Sequence, residues 1–418
     1  MTKNRAPKLF YGYIIALAAF LIMVVTWGAF YCFGVFFKPV LIEFGWTRAA
    51  TSGAYSLAFV LSGFISIFAG RLSDRLGPRI VVTGCGLFLG SGYLLMSQIS
   101  TIWQLYLFYG VIVGIGLSGA YVSAVSAVSR WFVKRRGLMT GIVIAGIGAG
   151  TMVMPPLANW LISSYGWRVS YNIIGIIVLV LIILAVQFLR RDPSQIGLSP
   201  YGEGEAEQGS LNLEARGLSL QRAIHTRQFW MLYAMFLCFG VSVQAIMVHI
   251  VIHATELEIS AASAANILAI IGGVSIVGRI MMGSAGDRIG NKLAITVCFI
   301  LMSVALLWLL VTKELWMFYL FAVVFGFAYG GWAALISLMV AELFGLSSLG
   351  VILGAVTFGL AIGEAIGPTL AGRIFDITSS YQPAFLICVG LSIIAIILVL
   401  FLKPITSKGG ENDSERST

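Results

Sequence analysis

Arg279 stands in an apolar run, eight positions before Asp287. In a helix that spacing is about 12 Å of rise. Arginine does not shed its proton, and its planar fork of donors matches a carboxylate. The chemistry on offer is the anchoring of a small anion. The competing reading is an ion pair with Glu364, the one acid clearly within an apolar run. Glu364 is also a candidate proton carrier, as is His249, because imidazole titrates near neutral pH. A small organic acid needs a few donors and an apolar wall. Tyr31, Tyr121, Gln244, His249, Tyr329 and Trp332 offer donors, and Phe30 and Phe358 offer the wall. Each of these also fits a core or interfacial position, and His249 fits a gate as well as a ligand.

Such residues need a scaffold, and composition defines it. Of 418 residues, 59% are hydrophobic and 10% charged, with a mean hydropathy of +0.97. Soluble proteins carry roughly 25% charged residues. So few charges cannot cover a water-soluble surface. This excludes a soluble enzyme, a nucleic-acid binder and a disordered chain; the net charge of +9 has too little polar surface around it to bind nucleic acid. No catalytic Ser/His/Asp set, metal cluster or nucleotide motif accompanies the apolar runs, so no enzyme and no cofactor is expected. The five cysteines, Cys32, Cys85, Cys238, Cys298 and Cys388, read as small core residues.

A membrane-spanning helix needs about 20 apolar residues. Twelve stretches qualify, at 11–37, 49–70, 79–98, 102–129, 138–163, 169–189, 228–253, 261–284, 291–312, 314–341, 349–373 and 381–402. They are continuous rather than alternating, which excludes a β-barrel. The basic segment before the first span has no cleavage-site pattern and reads as the flank of an anchor. The polar stretch 191–227 separates halves at 1–190 and 228–418. Its end, Leu218 to Ile224, reads either as a short amphipathic helix or as plain tether. With a cytoplasmic N-terminus, twenty of the 26 Lys and Arg fall on the inner side, five on the outer, and Arg279 within a span. That asymmetry predicts a multi-pass plasma-membrane protein with both termini cytoplasmic.

The halves repeat. Gly70-Arg71-Leu72-Ser73-Asp74-Arg75-Leu76-Gly77-Pro78-Arg79 returns as Gly283-Ser284-Ala285-Gly286-Asp287-Arg288-Ile289-Gly290-Asn291-Lys292, at an offset of 213. Parallel repeats of this kind suit a two-bundle machine with a site between the bundles. Asp74, Arg75, Asp287 and Arg288 read as a latch on one gate, or else as topology signals alone.

Twelve spans in 6+6 halves with this twice-used loop resemble the major facilitator superfamily. Within it the chain is similar to the monocarboxylate transporter group, its bacterial lactate-transporting members and its oxalate/formate relatives. The resemblance rests on Phe33-Gly34-Val35-Phe36-Phe37, Glu43-Phe44-Gly45-Trp46-Thr47-Arg48-Ala49, Trp131-Phe132-Val133-Lys134-Arg135-Arg136-Gly137-Leu138 and Thr226-Arg227-Gln228-Phe229-Trp230. It implies an all-α major facilitator fold and proton-coupled symport of a small monocarboxylate such as L-lactate, with Arg279 binding the carboxylate; nothing in the sequence demands an oligomer, so a monomer is expected. The oxalate/formate relatives imply anion exchange instead. Three positions depart from the group: Ser275 stands where a proton-coupling Asp is common, Tyr31 where a Lys is common, and 349–372 holds no second cation. One fixed cation suits one carboxylate. The proton carrier is then Glu364, His249 or the substrate acid itself.

Overall fold

The computed structural model describes residues 10–132, 135–202, 218–345 and 349–402. Among them, eleven helices are long and apolar enough to cross a membrane. One, Arg136–Val186, has 51 residues and breaks at Gly166, where φ is 76° and ψ 161°. It makes two crossings, so the expected twelve are present. The first span, Tyr11–Tyr31, bends at Cys32 and continues as Phe33–Phe44, seven residues beyond its expected end at 37. The second is Arg48–Leu76 and the third Pro78–Met96. The fourth, Ile102–Trp131, passes through a π-helical stretch at Tyr106–Val113. The fifth and sixth lie at 136–165 and 167–186. The seventh to tenth are Arg227–Glu256, Ala261–Ile289, Asn291–Val311 and Leu315–Phe344. The last two are Leu349–Thr378 and Gln382–Phe401.

The repeat extends to backbone conformation. Gly77 and Gly290, 213 residues apart, have φ of 89° and 86° with ψ of 156° and 143°. This region is open essentially to glycine alone. Each glycine ends one span and starts the next without a spacer, which is why the loop motif keeps it. The same offset pairs Gly45 with Glu258, at φ of 64° and 63°, and Gly166 with Ser379, at 76° and 53°. The turns of the two halves thus share handedness even where the residue type differs.

The halves meet where the fifth span packs on the eighth, the second on the eleventh and the first on the seventh. The fifth–eighth seam is a backbone contact. A Cβ added at Gly148 would stand 2.7 Å from the Gly272 carbonyl oxygen and 2.8 Å from Ser275 Oγ. Small residues permit this approach in membranes, where packing replaces hydrophobic driving force. The Leu218–Ile224 segment forms a short helix, Leu220–Ile224, capped by Ser219. It is tied to the tenth and seventh spans by Leu218 N donating to Phe344 O at 2.9 Å and Trp230 Nε1 donating to Ile224 O at 2.9 Å. The acidic run Glu203, Glu205 and Glu207 lies outside the described residues.

Candidate functional site

The eighth span carries Arg279 into the seam. It is 9% exposed. Its Nη1 donates to the carbonyl oxygen of Ile144 on the fifth span, 3.1 Å away in the other half. Its Cζ stands 5.8 Å over the Tyr329 ring. Its Nε is buried without a partner. Among the described residues no carboxylate reaches ion-pair distance of Arg279, and Glu364 is engaged elsewhere. A mid-membrane cation held by one carbonyl and one ring face has donors to spare for an anion.

Two aromatic hydroxyls lie near it. Tyr121, on the fourth span, is within the field of the Arg279 charge. It is 38% exposed. Tyr329, on the tenth span, meets Tyr31 of the first span hydroxyl to hydroxyl at 3.4 Å, so this pair also bridges the halves. Trp332 stacks on Phe239 with centroids 3.5 Å apart, and Phe239 in turn stacks on Tyr329. Trp332 is therefore a buried support of the Tyr329 ring. Phe30 is wholly buried among Tyr55, Phe59 and Tyr109, one layer behind Tyr31. Phe358 is 54% exposed on the eleventh span, and no contact described for it joins it to this group.

A second polar chain crosses the halves. Tyr55 of the second span donates to Gln244 Oε1 of the seventh at 3.1 Å, and Gln244 Nε2 donates to Glu364 Oε1 of the eleventh at 3.5 Å. Glu364 is half-buried and has no cationic partner among the described residues. Ser275, in contrast, turns its hydroxyl back to Gly272 O at 2.7 Å and is fully buried between the fifth and tenth spans. A longer acid there would have to part the seam.

His249 lies apart from Arg279, at the end of the bundle that carries Arg48. Its Nδ1 meets the Tyr381 hydroxyl at 3.0 Å and its Nε2 the Pro368 carbonyl at 2.8 Å. Arg48, Glu256, Asp376 and Tyr381 are not among the site residues expected from the sequence. The structure gathers them. The Arg48 guanidinium bonds Glu256 and, through Nη1, the Tyr381 oxygen at 2.6 Å, and it stacks 3.4 Å over the Phe375 ring. The backbone amides of Arg48 and Ala49 each donate to the Asp376 carboxylate at 2.9 Å, at the open N-terminus of the second span. Ser56 meets Thr369 at 2.8 Å just inside. The usable signal was that Arg48, Glu256 and Asp376 are charges on a side where charges are scarce.

At the opposite end Arg75 and Arg288 are exposed, while the side chains of Asp74 and Asp287 lie outside the described ones. Among the described residues at this end, Arg79 bonds Gln187, and Lys292 Nζ donates to the Leu400 and Leu402 carbonyls at 2.8 Å, each within its own half.

Among solved structures, the chain is similar to a bacterial homolog of the human lysosomal transporter Spinster. In its inward-facing, occupied conformation the TM-score is 0.73 at 16% identity, covering 95% of this chain and 97% of that one. The unoccupied form gives 0.69. Among curated proteins, monocarboxylate transporter 12 of Mus musculus is 28% identical over 416 residues, 94% of this chain and 85% of the relative. Monocarboxylate transporter 13 of Rattus norvegicus is 27% identical, covering 92% and 87%. An uncharacterized MFS-type transporter of Escherichia coli (strain K12) is 27% identical, covering 76% of each. The family profile of the Major Facilitator Superfamily matches residues 19–285 and 238–418. Taken with twelve crossings, a twice-used glycine junction and a polar site between halves, that match makes the chain a member of the Major Facilitator Superfamily.

Proposed function

We propose that the protein is a secondary transporter carrying a small monocarboxylate, lactate or a close analogue, together with a proton by alternating access. The observation that carries this reading is Arg279: a buried cation between the halves, without an acid partner among the described residues and with an unused Nε. A substrate carboxylate would take the guanidinium fork, and the Tyr121 and Tyr329 hydroxyls stand ready for a 2-hydroxy or 2-oxo group. One cation favours a monocarboxylate over a dicarboxylate. The names of the relatives, monocarboxylate transporters 12 and 13, support the same substrate class. Glu364 is our assignment for the proton site, since it is an acid within a span that no described cation neutralises.

The distribution of Lys and Arg puts the Arg48 end outside and both termini in the cytoplasm. On that reading the bonds around Arg48 close the outward end. Arg75 and Arg288, with Asp74 and Asp287, then sit where the inner gate would close. We also read the protein as a monomer of the plasma membrane, with halves at 1–190 and 228–418 joined by 191–227.

The test is reconstitution into proteoliposomes with labelled lactate. Uptake driven by an inward proton gradient, and abolished by Arg279→Gln, is expected. Uptake that ignores the gradient and requires internal anion would replace symport by exchange. Absence of any monocarboxylate movement would overturn the substrate assignment.

A further inference from the structure

The hydrogen bonds around His249 have a direction that chemistry fixes. The Pro368 carbonyl can only accept, so His249 Nε2, 2.8 Å away, carries the hydrogen and donates. In a neutral ring Nδ1 is then a bare acceptor, and the Tyr381 hydroxyl donates to it at 3.0 Å. Guanidinium can only donate, so Arg48 Nη1 donates a hydrogen bond to the Tyr381 oxygen at 2.6 Å. The chain runs Arg48, Tyr381, His249, Pro368, with every donor matched to one acceptor. It links the second span to the seventh, the eleventh and the start of the twelfth. The Ser52 hydroxyl of the second span stands 3.1 Å from the Pro368 carbonyl and 2.7 Å from the Arg48 carbonyl, so its one hydrogen is shared between its own helix and the eleventh span.

We propose that His249 is the positioning residue of this gate, and that proton uptake on its ring unlatches the Arg48 end. An imidazolium has two N–H donors and no acceptor. Its Nδ1–H would point at an oxygen already claimed by Arg48, and the phenol proton would lose its acceptor. Two cations would then face one hydroxyl. The two acids nearby already have partners. Glu256, on the same span as His249, bonds the Arg48 guanidinium, and Asp376 of the eleventh span accepts the Arg48 and Ala49 amides. The other neighbours bring no compensating charge. Phe37 of the first span sets its edge against the ring at 5.2 Å, Lys38 donates to the Thr255 carbonyl, and His253, a turn further out, packs on Phe318, Tyr381 and Phe385. His249 lies seven residues inside Glu256, about 10 Å of helix from that end. If the Arg48 end faces outward, acid outside opens the carrier towards the side from which protons arrive. That direction rests on the transporter reading above; the latch itself does not.

The experiment measures the gate without substrate. Spin labels at Ile42 and Ile377, both exposed and on opposite halves at this end, report its opening by dipolar distance. Lowering the pH from neutral to mildly acidic is expected to move population to a longer distance. The shift should vanish in His249→Gln, whose amide can still donate to Pro368 and accept from Tyr381, and persist in His253→Gln. A wild-type distance that ignores pH overturns the proposal, as does a shift that survives His249→Gln. The chain has three histidines, so nitrogen spectra of 15N-histidine-labelled wild-type protein give a second measurement that needs no variant at His249. Resonances of the other two are assigned through His225 and His253 variants. A neutral Nε2–H tautomer that converts to imidazolium as the distance lengthens supports the latch. An Nδ1–H tautomer or an imidazolium in the closed state overturns it. Neither readout involves lactate, so a failed transport assay and a failed gate are told apart.

Discussion

Arg279 of the eighth span donates to the Ile144 carbonyl of the fifth across 3.1 Å, so the cation proposed to hold substrate is also a strut between the halves. A helix carbonyl is a weak substitute for a carboxylate, because charge-assisted bonds are roughly twice as strong as neutral ones. Substrate should therefore draw the guanidinium off Ile144 and loosen the seam as it binds. Arg279→Lys keeps the charge but loses the fork. We expect its lactate affinity to fall on the order of 10- to 100-fold, the cost of about one charge-assisted bond. Arg279→Gln should abolish binding yet leave thermal stability in detergent unchanged or raised, since an uncompensated buried charge opposes folding. Calorimetric titration with scanning of the same samples checks both; loss of stability in parallel with loss of binding would make Arg279 a structural residue.

Glu364 meets Gln244 and no described cation. Glu364→Gln retains a side chain that can accept from Gln244 but removes the titrating group. We expect lactate exchange at equal concentrations to continue while gradient-driven accumulation and the pH dependence of uptake disappear. An unchanged pH profile would move the proton to the substrate acid or to His249.

The number of spans, the paired glycine loops and the isolation of Arg279 were legible in the sequence because each is a local pattern: a run of about 20 apolar residues, a ten-residue motif, one charge where none is expected. The bonds between halves were not. Tyr55 and Gln244 are 189 positions apart, and Arg48 and Tyr381 are 333 apart. Nothing in the residues around Arg48 tells a gate from a flanking charge. His249 shows the same limit, because its depth on the seventh span suits cavity and gate alike, and only Tyr381 and Pro368 place it. Ser275, where an acid is common, is fully buried against Gly148 of the fifth span, a packing that sequence alone does not display.

That seam yields its own prediction. At Gly148 a methyl group would meet the Gly272 carbonyl oxygen, which cannot move aside as a side chain can, together with the Ser275 and Ile276 side chains. Overpacking of this kind costs about 1–3 kcal/mol. Here the strain falls between halves that must rock, so turnover should suffer more than folding. Gly148→Ala is expected to lower the transport rate severalfold with a modest fall in melting temperature. Gly141, which has open space around its Cβ, is the control and should tolerate Ala. Equal effects at the two positions would show that the seam is not a tight contact during the cycle.

The turns offer a test of the repeat at the level of single residues. Gly45 has φ 64° and ψ 22°, the left-handed helical region, and its counterpart 213 residues on is Glu258 at φ 63°. The second half thus places a side chain in that turn, and asparagine visits this region readily. Gly77 and Gly290 have φ near 90° with extended ψ, where a Cβ is not accommodated, and both halves keep glycine. Gly45→Asn should therefore be nearly neutral, whereas Gly77→Ala and Gly290→Ala should each cost about 1–3 kcal/mol. The cost should appear without any contact being lost, because nothing lies within 4 Å of the Cβ site at Gly290. Chemical denaturation of the variants in one detergent measures this. A penalty at Gly45 as large as that at Gly77 or Gly290 would mean that the junctions are held by packing rather than by backbone conformation.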